Sequence, residues 1–364
     1  MLTEPLIRIG IITDGEPVMS PHPGGTLVEN LLIGEGFHWQ RRVSAVMRGT
    51  FEPLTPRQGN IRMTNLLPVE QYVESVIASE MNPNAPTEFL KAHAVISRSW
   101  ALRKVLGFHT GCQSGRRDSL TEHIGWEESD EHTGFVVCSD DHCQRYQGIP
   151  ARHASRACEA VQATRGVVLA DSAGEIADAR FSKCCGGRTE IFSTCWSDCD
   201  YDYLASVPDP WCASPGEEVL HAVLKEYDAE THDFHDWQKD IDPAEVTSRL
   251  RERYGADIGK ITDMNAIDRG PSGRIRALLL TGTHGSVTIG KELAIRRLLA
   301  ADCLKSSWFE IIREKSTFRL IGHGWGHGVG LCQIGAASMA AAGHDFRSIL
   351  EFYYPNASLK QIYE

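Results

Sequence analysis

From Gly322 to Gly330 every second residue is glycine, in the run GHGWGHGVG. In a strand, alternation would put His323, Trp325, His327, Val329 and Leu331 on one face and leave the other with no side chains. Few folds accommodate such a ribbon. Glycine weakens a strand and gives it nothing to pack with, so the bare face marks a place where another backbone or a ligand comes close. The run therefore reads as the wall of a site. As an extended segment it would hold His323 and His327 about 13 Å apart at ~3.3 Å per residue, too far for one metal ion.

Upstream, periodicity changes several times along the 364 residues. The runs LIRIGIIT, RVSAVMRG and NIRMTNLL, separated by glycine and proline, predict an N-terminal β lobe over 1–60. In PVEQYVESVIASEM the apolar positions Val69, Tyr72, Val73, Val76 and Ile77 recur at helical spacing, with Pro68 suited to a first helical position. A second helix is expected to open at Thr87 as N-cap and to run to Gly107. Polar, glycine-containing sequence from Gly107 to Gly148 reads as irregular loop. Residues 61–215 form the expected core, 216–312 an inserted α+β lobe with helices around Val219–Tyr227 and Pro243–Tyr254, and 313–364 a return to the core. The fold class is α+β.

On the first of these helices Glu80 lies three and four positions after Ile77 and Val76, so it shares their buried stripe, whereas Glu70 and Glu74 fall on the face expected to be solvated. Glu80 also occupies the last turn, where the negative end of the helix dipole disfavours an anion. Burial and dipole both raise its pKa above the ordinary ~4.3, towards the range that suits a general acid near neutrality. The competing reading is an ordinary carboxylate paired with a nearby arginine such as Arg98.

A net charge of -11 without any Lys/Arg-rich run argues against a nucleic-acid partner. No stretch approaches the ~18 consecutive apolar residues of a membrane span, and the first residues lack the pattern of a secretory signal. Cysteine is plentiful, eleven in all. The stretch HTGFVVCSDDHCQRYQG sets His132, Cys138, His142 and Cys143 close together, a density typical of zinc sites. His132, Cys138 and Cys143 are the expected ligands, thiolate and imidazole together favouring zinc over magnesium or calcium. A Cys138–Cys143 disulfide is the alternative, and Cys185 and Cys212 are further ligands or a pair.

The segments PVEQYVESVIASEM, LKAHAVISRSWAL, CSDDHCQRYQG, CGGRTE, YLASVPDP, GHGWGHGVGLCQIGA and ILEFYYPNASL occur in this order, and together they resemble the stage II sporulation protein D (SpoIID/LytB) family over roughly residues 61–360. The resemblance implies a peptidoglycan lytic transglycosylase, cutting between N-acetylmuramic acid and N-acetylglucosamine, especially in strands stripped of stem peptides. It implies that Glu80, in the ASEM segment, is the catalytic acid/base, and that the place of work is the extracytoplasmic cell envelope. His323, Trp325, His327, Gln333 and Arg98 are then expected to bind substrate, with Trp325 stacking on a sugar ring. Catalysis needs no cofactor, and a zinc on the cysteine–histidine loop would be structural, as some relatives with HCQxY there carry zinc. Other members are described as enhancers of a wall amidase, so a non-catalytic glycan-binding partner of such an amidase is the second implied reading.

Overall fold

The computed structural model describes residues 3–37, 39–108, 115–126, 132–148, 154–225, 228, 231 and 233–364, with the side chains of 154 and 155 excepted. It is an α+β structure. Strands β1 (Leu6–His22), β2 (Gly25–Ile33), β3 (Arg41–Met47), β4 (Thr50–Gln58) and β5 (Ile61–Pro68) form an antiparallel sheet in the order β3-β2-β1-β5-β4. The β lobe thus reaches Pro68, beyond the expected boundary at residue 60, because β5 pairs with β1 along its whole length. Val137–Cys138 adds in parallel to β1, pinning one end of the cysteine–histidine loop to the sheet.

Helix α1 (Val69–Glu80) follows β5 directly, with Pro68 just outside its first turn, and α2 (Thr87–Val105) follows Pro86. Thr87 is the first helical residue and makes no side-chain cap. In α1, Gln71 alone is not buried. The helix is therefore central and enclosed on every side, by β5, α2 and the helix Ala154–Ala163. That overturns the expected solvated face. Glu70 is 2% exposed and Glu74 7% exposed, and each is held by an arginine: Arg98 for Glu70 and Arg48 for Glu74.

The inserted lobe has its own core of Trp237, Val246, Leu250, Leu278, Ile289, Ile295, Phe309 and Leu320. Its helix Pro243–Tyr254 has the boundaries its sequence dictates: Asp242 accepts from the Ala244 N–H, Pro243 sits in the first turn, and Gly255 closes it in the left-handed conformation. Its five-stranded sheet runs Ile261–Arg269, Ile275–Gly282, Gly285–Gly290, Glu122–Ile124, Arg117–Asp118. The two last strands come from the segment read as loop; too short to show periodicity, they form only by adding to an existing edge. Likewise Phe318–His323 pairs with Asp236–Ile241 and Phe309–Arg313, so the expected boundary at 312/313 falls inside a sheet of this lobe.

Past His323 the glycine run leaves the strand conformation. Gly324, Gly326, Gly328 and Gly330 all have positive φ between 71° and 94°, so the alternation of faces expected for a ribbon does not apply. The close approaches are made by the chain itself. A Cβ on Gly328 would lie 2.4 Å from the Arg274 guanidinium carbon, and one on Gly330 would lie 2.0 Å from the Arg180 carbonyl oxygen. Trp325 and Cys184 exchange backbone hydrogen bonds of 2.8 and 3.1 Å, which ties the run to the segment after Phe181–Ser182.

Candidate active site

Glu80 ends α1 and is 7% exposed, on a cleft also lined by Phe37, Trp39, Asp141, Gln144, Arg145, Phe181, Ser182, Lys183, Trp196, Trp325, His327 and Gln333. The segment after the cysteine–histidine loop is zipped along α1. Arg145 N–H donates to Glu80 Oε1 at 2.9 Å, Gln147 N–H to Ser79 Oγ at 2.9 Å, Ser75 Oγ to the Gly148 carbonyl at 3.0 Å, and the Tyr72 hydroxyl to Gln144 Oε1 at 2.9 Å. Burial raises the Glu80 pKa, and the nearby charge of Asp141 adds to it; the cations of Arg145 and Lys183 pull the other way without cancelling the rise.

Those cations are themselves neutralised. Lys183 Nζ lies 2.8 Å from Asp228 Oδ2 and also donates to the Glu80 carbonyl oxygen at 3.2 Å, so it satisfies an orphan carbonyl at the helix C-terminus. Arg145 places Nη1 3.3 Å from Asp228 Oδ1 and Nε 2.8 Å from Asp141 Oδ1. Burial raises the Asp228 pKa, but Lys183 and Arg145 outweigh it, and the net shift is downward. Glu80 is therefore a carboxyl shifted towards its neutral form beside one shifted towards its charged form, the kind of separation that assigns acid and counter-charge. Sequence reasoning assigned no role to Arg145, Lys183, Asp228 or Gln144. Gln144 and Arg145 stand in a motif already conspicuous, CSDDHCQRYQG, and Lys183 lies two residues before CGGRTE, but nothing local announces that Asp228 folds back onto them.

Of the expected substrate residues, the cleft gathers Trp325, His327 and Gln333. Trp325 is 4% exposed and meets Trp39 edge-on at 5.5 Å, so little of its face is open for stacking on a sugar. The less buried ring is Trp196, with the Arg180 guanidinium 4.1 Å from its centre. His327 is neutral, its pKa held well below the usual value by burial and by Arg180 and Arg274. Its Nδ1 accepts from the Val329 N–H at 3.0 Å. Gln333 Nε2 bonds at 3.0 Å to His93, which burial keeps neutral with a pKa of about 3.

Arg98 and His323 lie elsewhere. Arg98 is 0% exposed and clasps Glu70 with Nε and Nη2 at 2.8 and 2.7 Å, so it is a core ion pair and neither a substrate contact nor a partner of Glu80. His323 points its Nδ1 at Asp236 Oδ1, 2.6 Å away, and rests against Trp308 in the inserted lobe. Neither therefore takes the substrate role that the resemblance implies: strand pairing draws His323 onto Asp236 in the inserted lobe, and Arg98 turns to Glu70 in the core.

On the far side of Arg145, the ligand atoms of His132, Cys138, His142 and Cys143 all lie within 4.8 Å of one another. His132 Nε2 is 3.3 Å and His142 Nδ1 3.5 Å from Cys143 Sγ, and both cysteines are free thiols, so the Cys138–Cys143 disulfide is not formed. Two imidazoles and two thiols at this spacing match a tetrahedral zinc donor set. His142 joins the three expected residues. His142 and Cys143 also line the cleft, immediately before Gln144 and Arg145. No helix among the described residues is long and apolar enough to cross a membrane.

Residues 57–170, which include Glu80 and the cysteine–histidine loop, match the family model described as Stage II sporulation protein, and residues 190–330 match a domain of unknown function, DUF8618. The chain is 27% identical over 307 residues to Stage II sporulation protein D of Bacillus amyloliquefaciens, covering 84% of this chain and 77% of that protein. Against Stage II sporulation protein D of Bacillus subtilis (strain 168) the identity is 26% over 308 residues, covering 84% and 78%. The Amidase enhancer of Bacillus subtilis (strain 168) is 25% identical over 315 residues, 79% of this chain but 40% of that longer protein. Residues 57–170, around Glu80, thus carry a domain of the Stage II sporulation protein family, and similarity to stage II sporulation protein D runs along most of the chain.

Proposed function

We propose that the protein is a peptidoglycan lytic transglycosylase, acting on denuded strands in the extracytoplasmic envelope, where that polymer lies. The observation that carries this reading is a buried carboxyl, Glu80, biased towards its neutral form at the edge of an aromatic-lined cleft. Protonated Glu80 gives its proton to the glycosidic oxygen as the bond to the muramic anomeric carbon breaks. The resulting carboxylate takes the proton of the muramic 6-hydroxyl, whose oxygen closes on that carbon as a 1,6-anhydro ring. The nucleophile is tethered, so one carboxyl serves where a hydrolase uses two, and no positioned water is needed. The carboxylate form is transient, and Asp228 keeps Lys183 and Arg145 from trapping it. Gln144 Nε2 and Ser182 Oγ are buried in the cleft wall without a hydrogen-bond partner among the described residues. A sugar hydroxyl or N-acetyl carbonyl would satisfy them.

His132, Cys138, His142 and Cys143 would hold a structural zinc. The ion would supply rigidity, fixing the turn from which Gln144 and Arg145 reach α1, and the proton transfers stay with Glu80.

The similarity to a protein named Amidase enhancer favours a second reading, a glycan-binding partner of a cell-wall amidase with no cleavage of its own. Digestion of denuded glycan followed by mass analysis separates the two. The transglycosylase releases 1,6-anhydro-muramyl ends, and Glu80→Gln reduces that release about 10²–10⁴-fold. Water-adduct ends or intact strands from the wild type would overturn the proposal.

A further inference from the structure

Behind the cleft wall lies a second cluster that the proposed chemistry does not use. Cys185, Asp209, Cys212 and Cys332 are all buried, at 0–1% exposure, and their ligand atoms all lie within 4.8 Å of one another. They come from three separated segments: the stretch after Phe181–Ser182, the loop around Asp209, and the N-terminus of the helix Gln333–Ala341. We propose that they form a thiolate-rich zinc site, structural in kind, distinct from the histidine-containing cluster beside Glu80.

The spacing suits an ion and not a covalent bridge. Cys185 Sγ is 3.4 Å from Cys212 Sγ and 3.1 Å from Asp209 Oδ2. A disulfide needs ~2.05 Å between sulfurs, whereas tetrahedral ligands ~2.3 Å from a zinc stand about 3.8 Å from each other. The three cysteines are free. The surroundings are built for anionic sulfur: Cys332 Sγ accepts the N–H groups of Cys185 at 3.2 Å and Gly335 at 3.4 Å. Asp209 is oriented by the Tyr353 hydroxyl at 2.9 Å and the Trp211 N–H at 2.9 Å. These supports are neutral, so they orient ligands without balancing their charge, as outer-shell partners of a metal do. Three sulfurs and one oxygen select zinc over magnesium or calcium. Binding releases the ligand protons to solvent and ties together the segments that carry Lys183 and Gln333.

Two metal-free arrangements compete: a Cys185–Cys212 disulfide, and an ion pair between Cys212 and His235, whose Nε2 is buried without a hydrogen-bond partner among the described residues. The test is zinc analysis of the full chain purified with zinc. The wild type is expected to retain two equivalents, Cys138→Ser/Cys143→Ser one, and Cys185→Ser/Cys332→Ser the other. Because either variant can fail to fold, X-ray absorption on the wild type gives an independent reading. Both sites filled yield a zinc shell richer in sulfur than in nitrogen, whereas the histidine cluster alone yields equal shares. A single equivalent lost with Cys138→Ser/Cys143→Ser, a shell of equal sulfur and nitrogen, or a Cys185–Cys212 disulfide in the peptide map would overturn the proposal.

Discussion

Replacing Glu70 by Gln tests whether Arg98 is structural. The Glu70 carboxylate receives Arg98 Nε at 2.8 Å, Arg98 Nη2 at 2.7 Å, the Tyr363 hydroxyl at 2.7 Å and the Gly166 N–H at 3.1 Å. Burial alone would raise its pKa, but Arg98, Tyr363 and Gly166 together leave it lowered. The amide keeps the shape but not the charge, and Arg98, fully buried, is left as an uncompensated cation. Breaking a buried pair from one side costs about 3–5 kcal/mol. At ~2–4 °C per kcal/mol, the unfolding midpoint should fall by 6–20 °C. The sign of the pH dependence follows from the lowered pKa. The pair's contribution is complete above the unfolded carboxylate value of ~4.3 and is lost as pH falls through the folded value, so wild type and variant converge in acid. The assay is thermal unfolding at neutral and acid pH, with KM for denuded glycan measured at low temperature. A loss below about 1 kcal/mol together with a raised KM would refute the structural assignment and return Arg98 to the substrate.

Asp228→Asn should shift the fall of activity with rising pH to lower pH, because Lys183 and Arg145 would then act unopposed on Glu80 and favour its ionised form; an unmoved profile contradicts that role. Glu80→Gln should fold as well as the wild type near neutrality while losing activity, since a carboxyl with a raised pKa costs stability as pH rises from the unfolded value of ~4.3 through the folded one, and the amide can still accept the Arg145 N–H; thermal unfolding across pH checks it. His142→Ala should lower zinc content and slow cleavage through displacement of Arg145, and unchanged rates in a zinc-depleted, folded variant would free catalysis from that loop. Trp196→Ala should raise KM more than Trp325→Ala at matched stability, as Trp196 presents the more open ring to the cleft.

The parts of the fold legible in the sequence are those set by local chemistry. The helix Pro243–Tyr254 is legible in its apolar spacing and in Asp242, Pro243 and Gly255, which bound it. Glu80 was legible because Ile77 and Val76 fix its face of the helix. Glu70 and Glu74 were misread by the same rule, which assumes that a helix has a wet side, whereas α1 has none. The glycine run was legible as a place of close approach and illegible in shape, since glycine admits positive φ as readily as the extended form. Lys183 and Asp228 escaped because their meaning lies in contacts across long stretches of chain, which no window of sequence displays.

The proton on Glu80 is governed from five places: its own buried helix, Arg145, Asp141, Lys183 and Asp228. Only the first three lie within residues 57–170. A fragment cut to that stretch would carry the glutamate without the lysine that caps its helix and the aspartate that balances the charges around it. Ionisation in such a fragment would follow a different set of neighbours, and inactivity there would say nothing about the intact chain. Grafting the ASEM helix onto another scaffold faces the same requirement: the transplanted unit must bring both remote partners with it.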